Sequence, residues 1–132
     1  MTVKLTWRGQ VASAELNALH AEGFDHALSN DDWEVQLASH SLGWVVARDE
    51  GRLVGFVNVA WDGGTHAFLL DTVVAVSHRG RGVGKALVQA AVNGATAARC
   101  EWLHVDWESD LDPFYIDTCG FTPTAAGLQR LG

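Results

Sequence analysis

The segment that most constrains the fold runs from residue 76 to residue 85, where three glycines occupy every second position in VSHRGRGVGK. A long apolar stretch, residues 65–76, leads into this segment, and a helical pattern starts at Val83. Glycines between a strand and a helix let the backbone approach a ligand and expose N–H groups at the positive end of the helix dipole. Because basic side chains stand beside them, the segment predicts a pyrophosphate-binding turn.

The glycine spacing argues against two common nucleotide-binding loops. A Walker A loop needs glycine where Arg79 stands and serine or threonine where Ala86 stands. A dinucleotide GxGxxG motif fails as well, because Lys85 or Leu87 occupies the position of its last glycine. The pattern that fits is Arg-x-x-Gly-x-Gly, from Arg79 to Gly84. A tight strand–helix turn with surface arginines is the simpler alternative.

Hydrophobic periodicity predicts the other elements. Strands are expected at residues 3–7, 44–47, 53–61, 65–76 and 102–107, and a weak last strand is expected to start at Phe121. Helices are expected at 13–24, 83–99 and 110–119, and a further helix is expected to start after an N-cap at Asn30 or Asp31. The order predicts one α+β domain over residues 1–132, with a parallel strand pair on either side of the 83–99 helix.

Charge and composition favour a small-molecule partner. Nine basic and sixteen acidic residues give a net charge of −7. A net negative charge disfavours general binding to the negatively charged backbone of a nucleic acid. No apolar run approaches the roughly 20 residues of a membrane span, and the N-terminus does not have the pattern of a signal peptide. We therefore expect a cytoplasmic protein that binds neither nucleic acid nor membrane. Histidine spacing predicts no metal site, and the two cysteines, Cys100 and Cys119, are expected to be reduced.

The sequence resembles the GCN5-related N-acetyltransferases (GNAT) over about residues 44–121. Their signature [QR]xxGx[GA] matches Arg79-x-x-Gly82-x-Gly84, and Phe114-Tyr115 with Cys119-Gly120-Phe121 is similar to their FYxxxGF. The resemblance implies a three-layer fold, with a GNAT-like mixed central sheet and helices on both faces. It also implies an acyltransferase that moves an acetyl group from acetyl-CoA to the amine of a small molecule by direct attack. A homodimer through an edge strand or the C-terminus is compatible with it.

The resemblance also implies roles for the residues around the signature. Main-chain N–H groups on the strand are expected to polarise the acyl carbonyl next to the pantetheine, and the turn is expected to hold the pyrophosphate. The first set is Thr72, Val73 and Val74, and the second is Arg79, Gly80, Arg81, Gly82, Val83, Gly84 and Lys85. The sequence departs from the family where Val76 replaces proline, and where Glu108 and Ser109 stand in place of a helper asparagine.

Attack by an amine needs a proton acceptor, and departure of a thiolate gains from an acid. Tyr115, the only tyrosine, is the candidate acid, the alternative being a hydrogen-bonded core tyrosine. For the base, the resemblance points to His104; Asp106 lies two residues further on the same strand face, and Asp71 interrupts an apolar strand. Each of the three also has a purely structural interpretation.

The spacing of Tyr115 leaves a second hypothesis open. Tyr115 precedes Gly120 by five residues where the family has four, so Ile116 holds the strict position. A one-residue bulge at the end of the helix would restore the tyrosine. Without it, the chain would be a non-catalytic acyl-CoA-binding or regulatory domain.

Acidic and aromatic residues suggest the nature of the acceptor. Carboxylates are expected to border the acceptor cleft and attract a cation, or else to be solvated loop residues; they lie at Asp31, Asp32, Glu34, Asp62, Asp106, Glu108, Asp110 and Asp112. Trp7, Trp44 and Trp102 are predicted in core strands, and Trp33, Trp61 and Trp107 in the core or an acceptor pocket.

Overall fold

The structure is a computed structural model that describes residues 2–132. Its strands are β1 (Val3–Trp7), β2 (Ser41–Asp49), β3 (Arg52–Trp61), β4 (His66–Val74) and β5 (Trp102–His104). Its α-helices are α1 (Ser13–Phe24), α2 (Trp33–His40) and α3 (Val83–Ala97). Short 3-10 turns occupy Val76–His78 and Ser109–Leu111, and a π-helical turn occupies Pro113–Thr118.

The five strands form one sheet in the order β1-β2-β3-β4-β5. Neighbours from β1 to β4 are antiparallel, and β4 pairs with β5 in parallel. A parallel neighbour requires a crossover, which α3 provides. The sheet is therefore mixed, as the sequence predicts.

Helices cover both faces of this sheet. Phe56 of β3 meets the Trp33 ring of α2 edge-on, with 6.1 Å between ring centroids. A Cβ placed on its neighbour Gly55 would lie 3.0 Å from Leu87 of α3. Consecutive strand residues point to opposite faces, so α2 and α3 lie on opposite sides. This confirms the predicted three-layer α+β fold.

Three predicted strand limits are wrong. β4 ends at Val74, because the His78 N–H bonds the Ala75 carbonyl and starts a 3-10 turn. β5 ends at His104 and not at residue 107. The predicted last strand is absent from the described residues, because the Phe121 N–H bonds the Tyr115 carbonyl and closes the preceding turn.

A continuous apolar run such as that of β4 is typical of a strand covered on both faces, but β4 differs from this expectation. Ala67 and Leu69 are buried, whereas Phe68 and Leu70 are 38% and 41% exposed. β4 is therefore covered on one face and partly open on the other near its start. Trp102, predicted in the core, is 64% exposed.

No helix within residues 2–132 combines the length and the apolar character that crossing a membrane requires.

Candidate functional site

A bulge and a split in the sheet define the centre of the site. Leu70 pairs with Asn58 and Val73 with Phe56, so β4 holds one residue more than β3 at this point. Asp71 has φ of 58°, a left-handed conformation that aspartate adopts more readily than most residues. On its other side, β4 pairs with β5 only at residues 66–68. The backbone groups of β4 beyond Phe68 are therefore not paired with β5, and we call this break in the pairing between the two strands the cleft.

Polar contacts hold the segment after β4 in place. Buried His78 bonds Asp49 on β2 at 2.7 Å through Nε2 and Ser77 at 2.8 Å through Nδ1. Arg79 donates from Nη2 to the Gly23 carbonyl at 3.1 Å and from Nε to the Val74 carbonyl at 3.3 Å. The guanidinium of Arg79 thus links the turn to α1 and β4. The arginine of the signature donates its hydrogen bonds here to carbonyl groups of the protein.

The glycines of the turn divide into two kinds. Gly80 and Gly82 have φ of 73° and 82°, and an added Cβ on either would meet nothing within 4 Å. Both therefore provide left-handed backbone that faces open space. Gly84 is different, because a Cβ there would lie 3.3 Å from the Phe114 ring. Its small size lets the aromatic ring pack against the start of α3.

The first turn of α3 presents donors to this open space. Gly82 is the N-cap, and the first helical N–H groups have no acceptor further back along the helix. The Val83 side chain is buried, so only its main chain can reach a ligand, whereas Arg81 and Lys85 are exposed. N–H groups at a helix start together with two cations are a combination that can attract an anion.

The two sides of β4 carry different side chains near the bulge. A Cβ on Gly23 would lie 2.0 Å from Val73, so Val73 points towards α1. Val74 instead lies on the α3 side, 3.8 Å from the Cβ position of Gly84. Thr72 also lies on the α3 side, where its side chain interacts with Tyr115. Val73 can thus contact a ligand in the cleft only through its main chain.

The π-helical turn places Tyr115 in this cleft. The Cys119 N–H bonds the Phe114 carbonyl five residues back, which is the π pattern. A π turn holds one residue more than an α turn, and so it absorbs the extra residue between Tyr115 and Gly120. The Tyr115 ring stacks on Trp107 at 5.0 Å and packs edge-on against Phe114 and Phe121.

The environment of Tyr115 keeps its hydroxyl protonated. Burial is the main cause that raises its pKa above the ordinary value, with Cys119 and Asp106 adding to the rise. The Thr72 side chain opposes this shift by a hydrogen bond. A tyrosine that stays neutral retains a proton to donate.

The other two predicted catalytic residues differ in their distance from Tyr115. His104 is exposed at the end of β5, where its Nε2 lies 2.7 Å from Nδ1 of His66 and its ring stacks on Phe68 at 4.7 Å. Asp106 is exposed and close enough to Tyr115 to raise the pKa of that residue. Asp106 therefore adjoins the site, whereas His104 stands where β4 and β5 are still paired.

Asp71 has partners that the sequence did not suggest. Its Oδ1 lies 3.0 Å from Nε2 of His20, whose Nδ1 lies 2.6 Å from Nε2 of His26. Nδ1 of His26 in turn lies 2.7 Å from the Ala27 carbonyl. Asp71 is 51 residues from His20 along the chain, so no local motif joins them. The one available signal was a carboxylate inside an apolar strand, which requires a partner.

Several of the acidic residues predicted near the acceptor have local structural roles. Asp32 caps α2 by accepting from the Val35 N–H, and Asp112 accepts from Trp107 Nε1 at 2.6 Å. Backbone N–H groups of Gly64 and then His66 lower the pKa of Asp62. No group of histidines, cysteines and carboxylates able to hold a metal ion occurs within residues 2–132.

Comparison with known proteins places this geometry among the acetyltransferases. Residues 11–121 match the Acetyltransferase (GNAT) family. Mycothiol acetyltransferase of Nocardia farcinica is 36% identical over 62 residues, which are 47% of this chain and 20% of that protein. The match thus spans about a fifth of that relative's length.

Solved structures share the whole fold at low sequence identity. A GNAT family acetyltransferase from Streptococcus pneumoniae has a TM-score of 0.79 at 18% identity, over 98% of both chains. Glucosamine-6-phosphate N-acetyltransferase from Arabidopsis thaliana has a TM-score of 0.75 at 14% identity, over 97% of this chain and 98% of that one. AAC(6')-Iy in complex with the bisubstrate analogue CoA-S-monomethyl-acetylneamine has a TM-score of 0.76 at 19% identity, over 98% and 97%.

Proposed function

Since the chain belongs to the acetyltransferase (GNAT) family, we propose that it transfers an acetyl group from acetyl-CoA directly to the amine of a small molecule. The observation that carries the proposal is the position of the glycine turn at the end of the cleft between β4 and β5. The N–H groups that open α3, which can donate to an anion, and the protonated hydroxyl of Tyr115 therefore both lie beside the split between β4 and β5.

The turn fits the pyrophosphate of coenzyme A. Gly80 and Gly82 face open space in a left-handed conformation, and the N–H groups that open α3 follow them directly. Arg81 and Lys85 add positive charge on the exposed side. Charge-assisted hydrogen bonds from these groups to phosphate oxygens are among the stronger polar contacts.

The free edge of β4 suits the acyl part of the substrate. Main-chain N–H groups around Thr72–Val74 are not paired with β5 and can donate to the pantetheine and to the acyl carbonyl. A donor fixed on the carbonyl oxygen stabilises the negative charge that develops there when the amine attacks. Tyr115 then donates its hydroxyl proton to the sulfur as the C–S bond breaks.

A non-catalytic acyl-CoA-binding domain is the competing hypothesis, and it depends on the five-residue spacing between Tyr115 and Gly120. The π-helical turn accommodates that spacing with Tyr115 buried at the cleft. We therefore favour the enzyme. Acceptors named for related proteins, glucosamine 6-phosphate and aminoglycosides, suggest polar, amine-bearing small molecules as the first to test.

The proposal is tested by coenzyme A release. The protein is incubated with acetyl-CoA and pooled primary amines, and free thiol and acetylated products are measured. We expect release that depends on an amine. Binding of acetyl-CoA without any release in the presence of amines would favour the non-catalytic hypothesis.

The turn is tested with a matched pair of variants. Gly82→Ala and Gly63→Ala both place alanine at a positive φ with open space around it, and each should cost about 1–2 kcal/mol of stability. Only Gly82→Ala should weaken acetyl-CoA binding in calorimetry, by about tenfold or more, because one hydrogen bond to a charged group contributes about 1.5–3 kcal/mol. Equal affinities in the two variants would place the pyrophosphate elsewhere.

A further inference from the structure

Asp71, His20 and His26 form a continuous chain of hydrogen-bond contacts that ends at the Ala27 carbonyl. Asp71 comes one residue before the Thr72–Val74 segment, at the bulge itself. The side chains of Asp71 and His20 are 25% and 21% exposed, so both can exchange protons with solvent. The hydrogen-bonded chain therefore connects the bulge of β4 to the loop that follows α1.

The three hydrogen bonds that link Asp71, His20, His26 and Ala27 need more protons than two neutral histidines supply. The Ala27 carbonyl can only accept, so the His26 Nδ1 must carry a proton, and Nε2 of a neutral His26 must then accept from His20 Nδ1. At the other end, the Asp71 carboxylate also only accepts, so His20 Nε2 must carry a proton as well. Three hydrogen bonds need three protons, whereas two neutral imidazoles supply two. The fully bonded chain thus holds one extra proton, and His20 carries it as an imidazolium beside the carboxylate.

We propose that these three side chains are the proton acceptor of the transfer reaction, an inference that rests on the function proposed above. When the chain lacks the extra proton, two lone pairs face each other at one of its contacts. Taking a proton restores the missing hydrogen bond, which favours transfer from an incoming ammonium group.

The ammonium gives one proton to the chain, and its free amine attacks the thioester carbon, forming an N–C bond while the C–S bond breaks. The second proton leaves the nitrogen, and one proton ends on the coenzyme A sulfur by way of Tyr115 and solvent. The chain later returns its proton to solvent, so one proton is released overall.

Other ionisable groups on the surrounding elements are engaged elsewhere or exposed. Glu22 of α1 accepts from the Val76 N–H, and Asp31 accepts from the Ser29 hydroxyl. Arg79 donates to the Gly23 and Val74 carbonyls. Asp25 is exposed at the end of α1, and Glu34 is exposed at the start of α2. The contacts within the chain therefore decide where its proton lies.

The proton count is tested in the protein without substrate by ¹⁵N NMR of its histidines. As the pH is lowered, His20 should be the ring that gains a second proton, while His26 keeps a proton on Nδ1 only. Asp71→Asn is the informative variant, because asparagine tolerates the same positive φ and its amide donates to His20 Nε2. The chain is then satisfied by two protons, so the imidazolium signal of His20 should disappear. His40→Gln, at an exposed site at the end of α2, is the control and should leave it unchanged.

Kinetics separate a proton acceptor from a purely structural contact. In the wild type, kcat/KM for an amine should change with pH as the hydrogen-bonded chain gains or loses its extra proton. In Asp71→Asn this dependence should be lost, and kcat/KM should fall about 10²-fold, the lower end of general-base effects. Acetyl-CoA affinity should stay at the wild-type value. Uptake of the second proton by His26 instead of His20, or an unchanged pH profile in Asp71→Asn, would overturn the proposal. Failure of the proposed function itself shows separately, as absent acetyl transfer in the wild type.

Discussion

Tyr115 meets the cleft with its ring fixed by three aromatic neighbours, Trp107, Phe114 and Phe121. The ring contacts explain its burial, and burial in turn keeps the hydroxyl protonated by raising its pKa. The same residue therefore serves packing and has a proton available for chemistry. The sequence predicted both roles but could not choose between them, because burial and hydroxyl access depend on residues distant along the chain.

Replacing Tyr115 with phenylalanine tests its hydroxyl alone. The ring and its stacking remain, so acetyl-CoA affinity and thermal stability should change little. Turnover should fall by about 10²-fold, since the departing thiolate loses its acid. Because the pKa of Tyr115 is raised, wild-type turnover should not decline through loss of this proton between pH 7 and pH 9.

Phe121→Leu is the matched control for that experiment. It removes one ring that packs against Tyr115 and keeps the hydroxyl. We expect lower stability with a smaller loss of turnover than in Tyr115→Phe. Unchanged turnover in Tyr115→Phe would exclude the acid role.

At the scale of elements, α3 and β2 enclose Trp7 between two glycines. A Cβ on Gly94 of α3 would lie 2.4 Å from the Trp7 ring, and one on Gly43 of β2 would lie 2.1 Å from it. The indole is only partly buried, but the backbones of α3 and β2 block its movement on two sides. These glycines are determined by packing, and neither has a positive φ.

Gly94→Ala should destabilise the protein although alanine favours a helix by about 1 kcal/mol over glycine. Overpacking of a well-filled site costs about 1–3 kcal/mol, and Gly43 prevents the ring from moving away. Denaturant unfolding should show the loss. Asn93→Ala, at the neighbouring exposed position of the same helix, should stay within about 0.5 kcal/mol of the wild type. A Gly94→Ala variant as stable as the wild type would show that the indole moves freely.

The π-helical turn shows what an element adds to its sequence. The sequence predicts a short helix over residues 110–119, and the α pattern would put Ile116 in the family's tyrosine position, whereas the structure has a π-helical turn at Pro113–Thr118. Trp107 stacks on Tyr115 instead, and the backbone adopts bonds five residues apart. The stacking of Tyr115 on Trp107 therefore goes with the position of Tyr115, and not Ile116, at the cleft. Local helix propensity cannot predict such a contact with another segment.

At the scale of the whole molecule, charge is distributed unevenly around the cleft. The chain carries a net charge of −7, yet Arg79, Arg81 and Lys85 lie together at the glycine turn. Thr2 and then His78 lower the pKa of Asp49, and backbone N–H groups lower that of Asp62, so both carboxylates stay ionised at neutral pH. Asp49 lies at the glycine turn, where His78 bonds it and the charge of Arg81 acts on it. Asp62 follows β3, at the other end of β4, so its negative charge is available to attract a cationic acceptor.

Salt tests this distribution. If the acceptor is an amine cation, its kcat/KM should fall as ionic strength rises from about 0.01 M to 0.15 M, because the screening length shrinks from about 30 Å to about 8 Å. A neutral acceptor of similar size is the control and should show no such fall. Salt dependence that is the same for both acceptors would remove the carboxylates from substrate steering.

The sequence by itself determined the order of elements, the mixed sheet and the family. Periodicity and glycine spacing are local properties, and the apolar faces of these elements leave few ways to bury them together. The tertiary structure alone decided the bulge at Asp71, the π-helical turn and the union of His20 with Asp71. Each depends on residues that are far apart in the chain and meet only after the sheet has formed. For the same reason, the sequence offered His104, Asp106 and Asp71 as candidate bases but gave no sign of the two histidines that folding brought to Asp71.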